Sequence, residues 1–225
     1  MNNSKIIKIG NKISIEIFLD KYKEIIKNIN NSRSAIIDIE AFSWNDDSKK
    51  NVNDRNPFMI GIVFFEIKNF KINNVQYQQL IIEQFNDKND YSVKLQILKN
   101  KLYSFIKEQN INTIIYFGGL LERKNFKFSS NNYFVYDIYD IYKQNSGVDI
   151  LNNKKIKIKK LLEIITEFNF SNNISSDWVR LSANKVFRDK QELELKDKIL
   201  NYSREELEIN VKVIEILLLK YNCLI

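Results

Sequence analysis

The chain has 225 residues and a formal net charge of +7, from 35 Lys and Arg against 28 Asp and Glu. Hydrophobic residues make up 44% and charged residues 28%, the profile of a folded protein with a sizeable core rather than a disordered chain. Histidine is absent and the one cysteine is Cys223, which excludes a disulfide framework, Cys-rich or His-ligated zinc, and every mechanism with a histidine base. Any catalysis must rest on carboxylates, Lys, Tyr or a metal held by oxygen ligands. The basic balance favours polyanionic partners, although the wealth of Asn, Lys and Ile is also what an AT-rich genome produces. No apolar run approaches the ~20 residues of a membrane span, and the opening MNNSKIIKIG does not read as a cleavable signal. The expectation is a soluble, cytoplasmic, single domain over 1–225, with 1–30 as an N-terminal extension.

In chain order, residues 5–17 read as a pair of short strands around Gly10-Asn11, followed by a helix over 18–30. A strand over 34–40 precedes a polar loop, 44–57, that holds Pro57, the one proline. Two more strands fall at 58–67 and 75–85, rich in β-branched and aromatic residues. The spacing of Val93, Leu95, Leu98, Leu102, Phe105 and Ile106 predicts a helix over 92–108 with Ser92 as N-cap. A buried strand over 111–117 turns at Gly118-Gly119 into a short helix, and another strand follows at 132–138. From about 139 the pattern reads as mostly helical, with segments near 156–169, 176–187 and 202–221. Three successive strands imply an antiparallel meander, and the later strand–helix–strand units imply parallel crossovers. The expected fold is α/β: a mixed sheet flanked by helices.

The stretch AIIDIEAF, residues 35–42, carries the strongest chemical signal. Side chains alternate along a strand, so Asp38 and Glu40 project from one face of an otherwise apolar segment. Two adjacent carboxylates repel, and a divalent cation removes that cost. Glu122, in the first turn after Gly118-Gly119, brings a third acid toward the carboxyl edge of the sheet, where open α/β sheets bind ligands. Asp137 and Asp140 are further acids, one ending a strand and the other opening the next helix. On the last helix, Asn210 lies beside the stripe Val211, Ile214, Leu217 and Leu218, with Glu206 one turn earlier. Each acid also has an ordinary role, as a cap, a helix-dipole partner or a solvated surface charge.

Taken in order, these segments resemble the ribonuclease-H-like 3′–5′ exonuclease superfamily, the DnaQ-like or DEDD group, and within it a bacterial branch. The first motif there reads roughly D-[FIL]-E-[TA]-F and is followed by Pro-Phe; here it is Asp38-Ile-Glu40-Ala-Phe42, then Pro57-Phe58. The second, a strand ending in Tyr and Gly or Asn with an acid a few residues on, is matched by Tyr116, Gly118 and Glu122. Asp140-Ile-Tyr142 matches a later D-L-[YF] segment, and 156–162 matches a further one loosely. The third motif is an aromatic or His, three residues, then D-[VT]; the best register here gives Glu206 and then Asn210-Val211, and departs from it. The resemblance covers about residues 34–221.

It implies a ribonuclease-H-like fold and metal-dependent 3′–5′ exonuclease hydrolysis of single-stranded DNA or RNA. Asp38 would bridge two Mg²⁺ or Mn²⁺ ions, Glu40 would bind the ion that activates water, Glu122 the second, and Asn210 or Glu206 would complete the shell. Glu206 or Glu208 could replace Asn210 if the helix is rotated. Arg123, Lys124 and Tyr116 would hold phosphate or stack bases. The alternative is a catalytically impaired module of the same fold that binds nucleic acid or a protein.

Overall fold

The computed structural model describes residues 4–9, 13–44, 55–128, 132–149, 154–157, 176–188 and 194–224. Strands β1 (Ser4–Ile9) and β2 (Ile13–Phe18) form the expected antiparallel pair and lead into α1 (Leu19–Ile29). The meander follows as β3 (Arg33–Ser43), β4 (Arg55–Lys68) and β5 (Lys71–Ile81). Next come α2 (Lys88–Glu108), β6 (Thr113–Tyr116), α3 (Leu120–Asn125) and β7 (Phe134–Asp137). A 3₁₀ turn, Ile138–Ile141, leads to β8 (Tyr142–Asp149) and β9 (Lys154–Lys157). The chain continues with α4 (Ser176–Ala183), a π-helical turn Asn184–Arg188, and the 30-residue α5 (Leu195–Leu224). No helix among the described residues is long and apolar enough to cross a membrane.

The main sheet has the order β5-β4-β3-β6-β7. β3 sits in the middle, antiparallel to β4 and parallel to β6, and β6 is parallel to β7. A strand buried on both faces reads as a nearly continuous apolar run, which is the character of AIIDIEAF. The fold is therefore α/β with a mixed five-stranded sheet flanked by helices. One core cluster gathers Leu98, Leu102 and Ile106 of α2, Val179 and Ala183 of α4, and Ile199 and Tyr202 of α5. The other gathers Tyr22, Ile25, Ile26 and Ile29 of α1 and Val211, Ile214, Leu217 and Leu218 of α5. The apolar stripe expected on the last helix is thus buried, and α1, from the N-terminal segment, covers the sheet.

Four boundaries differ from expectation. Residues 142–149 and 154–157 are strands rather than the start of a helical region: β8 pairs with β2, and β9 with β8, giving a second, antiparallel sheet β1-β2-β8-β9. Its ladder partner comes from the N-terminal hairpin, far away in sequence, so local propensity carries no sign of it. The expected helix at 156–169 otherwise lies outside the described residues. α2 starts earlier than 92–108 because Asp87, not Ser92, is its N-cap; its side chain accepts from the N–H of Asn89 at 2.8 Å and Asp90 at 2.9 Å. β5 begins at Lys71 because Asn69 and Phe70, at φ of 52° and 61°, form a two-residue hairpin turn without glycine. α5 begins at Leu195, before the expected 202.

α5 crosses the sheet closely over β4. A Cβ on Gly61 would stand 2.7 Å from Ser203 Oγ and 3.1 Å from Leu207 Cδ1. Gly61 faces Asp38 across the ladder. Gly61→Ala should therefore lower unfolding free energy by about 1–3 kcal/mol, the usual cost of overpacking. Ser203 Oγ is buried with no hydrogen-bond partner among the described residues, so Ser203→Ala should be close to neutral and should recover much of the Gly61→Ala loss. Urea denaturation of the two single variants and the double variant checks this; purely additive losses would contradict the contact.

Candidate functional site

β3 and α5 bring three acids together. Asp38 is half-buried and Glu40 buried, and both project from the same face of β3. Glu206 reaches them from α5. One carboxylate oxygen from each of Asp38, Glu40 and Glu206 lies within 4.8 Å of the others. Immediately beyond Glu40 the β3–β4 register shifts, with Ala41 facing Pro57. The extra residue, Phe58, lies on β4, and the irregularity accommodates Pro57 within that strand.

Glu122 joins them along one cleft. Gly118 holds φ of +75°, and a Cβ there would meet the Tyr139 ring at 2.6 Å, so the turn requires glycine. The turn is pinned by the buried Asp137 carboxylate, which accepts from the N–H groups of Gly118 (2.8 Å), Gly119 (3.1 Å) and Tyr139 (3.0 Å) and from Arg123 Nη2 (3.1 Å). α3 starts from that turn and carries Glu122 inward, where its Oε1 accepts from the N–H of Ile39 at 3.2 Å, between Asp38 and Glu40. Burial pushes the Glu122 carboxyl up from its ordinary 4.5 to about 7, against backbone hydrogen bonds that lower it; Asp137 and Glu206 add to the rise.

Asp38, Glu40, Glu122 and Glu206 line a cavity of about 240 Å³, together with Arg55 and Arg180. Asn210, half-buried one turn further along α5, does not line it. Glu208 pairs with Arg204 at 3.2 Å. None of Arg123, Lys124 and Tyr116 lines the acidic cavity. Arg123 is tied to Asp137, and to Asp140 at 3.9 Å, while Tyr116 is 1% exposed. A larger hollow of about 550 Å³ lies against β7, but the acid nearest its arginine, Asp137, is already engaged by the Gly118-Gly119 turn.

Three residues at the site were not singled out from the sequence. Tyr202 is buried and donates from its hydroxyl to Glu206 Oε1 at 2.6 Å. Burial first, then the Glu206, Glu40 and Asp38 carboxylates, hold its phenol well above the usual range, so it stays a proton donor. Its signal was present: Tyr202 stands three intervening residues before Glu206. Arg55 and Arg180 had no local signal, because the fold alone brings the start of β4 and α4 to the acids.

No family model matches the chain, and no curated protein or solved structure matches it.

The raised Glu122 carboxyl has a signed consequence. The folded state binds that proton more tightly than the unfolded chain. Its contribution to stability is complete below about pH 4.5 and is lost as pH rises through about 7. Over that interval the wild-type protein should lose on the order of 3 kcal/mol relative to Glu122→Gln, whose neutral amide does not titrate. Denaturant unfolding of both proteins between pH 4.5 and 8 reads the difference; parallel pH profiles would contradict it.

Proposed function

We propose that the chain is a metal-dependent nuclease of the ribonuclease-H-like 3′–5′ exonuclease type, acting on single-stranded DNA or RNA. The observation that carries this reading is the convergence of Asp38, Glu40 and Glu206 within 4.8 Å, with Glu122 on the same cavity wall. All four donors are carboxylate oxygens, the hard ligands that Mg²⁺ and Mn²⁺ prefer, and the cluster holds no sulfur or imidazole ligand that would select a softer metal. The strand order, with the acid pair on the central strand, supports the same reading. So does Tyr202-x₃-Glu206. It has the aromatic residue and the three-residue spacing of the third motif, with Glu206-Leu207 where that motif has D-[VT], one turn before the register that placed Asn210 there.

In this reading Asp38, Glu40 and Glu206 hold the ion or ions, and Glu122 completes the set from the α3 side. A bound Mg²⁺ or Mn²⁺ supplies Lewis-acid polarisation of a phosphoryl oxygen and of the attacking water. The protein's contribution is positioning. Tyr202 fixes the Glu206 carboxylate through its hydroxyl, the Ile39 N–H fixes Glu122, and the Asp137-bound turn fixes the start of α3.

Purified protein with Mn²⁺ should degrade single-stranded DNA or RNA. Asp38→Asn and Glu40→Gln should each lower the rate by about 10³-fold, equivalent to about 4 kcal/mol of barrier, while melting temperature holds or rises. Tyr202→Phe should lower kcat by about 10- to 100-fold with Mn²⁺ affinity little changed, as expected for a partner that orients a ligand. Mn²⁺ should raise the melting temperature of the wild type more than that of Asp38→Asn. Metal-dependent oligonucleotide binding without cleavage would favour the binding-module alternative; no cleavage and no metal-induced stabilisation would end the nuclease reading.

A further inference from the structure

We propose that Arg55 and Arg180 form the phosphate-holding side of the acidic cavity, gripping the backbone of a single nucleic-acid strand once a cation occupies the carboxylates. The inference rests on the reading of this cavity as a phosphodiester site and assigns its substrate-binding residues. Both side chains line the cavity that holds Asp38, Glu40, Glu122 and Glu206. They arrive from separate elements, yet Ser43 meets both segments. Arg55 is the ladder partner of Ser43. The N–H of Ser43 donates to Asn184 Oδ1 at 2.8 Å, and Asn184, itself buried, follows one helical turn after Arg180. The end of β3 past the bulge therefore sets the position of both arginines relative to the acids.

Their pairing state is the telling observation. Arg123 and Arg204 each meet a carboxylate, at 3.1 and 3.2 Å. Arg55 and Arg180 share a cavity with four carboxylates, yet neither makes an ion pair among the described residues. Among the described residues these guanidinium groups sit half-buried beside acids without joining them, and a group so placed can take another anion. Its planar fork matches phosphate oxygens. The charge balance also orders the events. With no cation, four acids outweigh two arginines and the cavity repels phosphate. With one or two divalent ions bound, the sum becomes neutral or positive and phosphate is attracted. A cavity of about 240 Å³ admits a splayed single strand at its mouth rather than a duplex.

A purely structural role makes a different prediction. If the arginines served only as counter-charges for the acids, removing them would lower stability and tighten Mn²⁺ binding, with no effect on oligonucleotides.

The test uses the full chain. Fluorescence anisotropy measures binding of a short oligothymidine in Ca²⁺ across a salt series, and calorimetry measures Mn²⁺ affinity. Arg55→Gln and Arg180→Gln should each weaken oligothymidine binding by about 5- to 30-fold, with Mn²⁺ affinity unchanged within about 2-fold. The double variant should flatten the salt dependence by about 1.4 in log–log slope, the value for two lost contacts on a single strand. Arg→Lys variants should keep the slope but not the full affinity, because the charge remains and the fork is lost; melting curves confirm that each variant is folded. Wild-type affinity and slope in the double variant would overturn the assignment, as would absence of salt-dependent binding by the wild type. The underlying reading fails separately. Arginine-dependent binding without Mn²⁺-driven cleavage would remove the hydrolytic function and leave the phosphate assignment standing; cleavage with arginine-independent binding would do the reverse.

Discussion

The close ride of α5 over the middle of the sheet is the contact on which the rest depends. It places Glu206 against Asp38 and Glu40, and it does so against electrostatic repulsion. At the 4.8 Å that bounds their separation, two carboxylates repel by roughly 3 kcal/mol at an effective dielectric of about 20, and three such pairs approach the whole stability of an ordinary domain. Apolar packing holds the helix down on both sides of the acid: Ile199 and Tyr202 before it on one core, Leu207 through Leu218 after it on the other. The tyrosine of α1 adds a tether, its hydroxyl donating to the Leu217 carbonyl. Gly61 permits the approach, since any side chain there would lift the helix off Asp38. Strain of this kind, concentrated at one place and offset by packing elsewhere, is the usual mark of a functional site.

Two buried acids at the carboxyl end of the sheet show how environment divides their roles. Asp137 sits at the end of β7 with both oxygens engaged by four donors, so its charge is fully used to hold a turn. Glu122 is equally buried, but among the described residues its carboxylate accepts one hydrogen bond from another residue, the Ile39 N–H. Desolvation then dominates, and the proton is held to near-neutral pH. The first acid is architecture for the second.

Much of the fold was legible because its signals are local. The apolar runs of β3 and β4, the strand pair expected over 5–17 and the stripe on α5 follow directly from residue type and periodicity. What was not legible depended on distant partners or on turn chemistry with unusual residues. β8 and β9 exist because β2 offers a ladder, and nothing within 142–157 announces it. The β4–β5 turn uses Asn-Phe where Asn-Gly would be the recognisable pair; Phe70 is held at positive φ because its N–H meets Asn30 Oδ1 at 2.9 Å and its ring stacks on Tyr221 at 4.9 Å. At the site, the acids were readable as motifs, while Arg55 and Arg180 reach it only through tertiary placement.

The geometry of one helix explains why the third acid lies at Glu206 rather than at Asn210. Positions four apart share a face but differ by about 6 Å along the axis, a step longer than the spread of the acid cluster itself. A ligand moved by one turn therefore passes the end of the cavity instead of joining it, which is where Asn210 stands. Tyr202, one turn the other way, lies in the core and can only touch Glu206 from behind, through its hydroxyl. With the register moved back one turn, the neutral amide no longer belongs to the cluster. The cavity's acids are then four carboxyl groups, and the neutral amide of Asn210 is not among them.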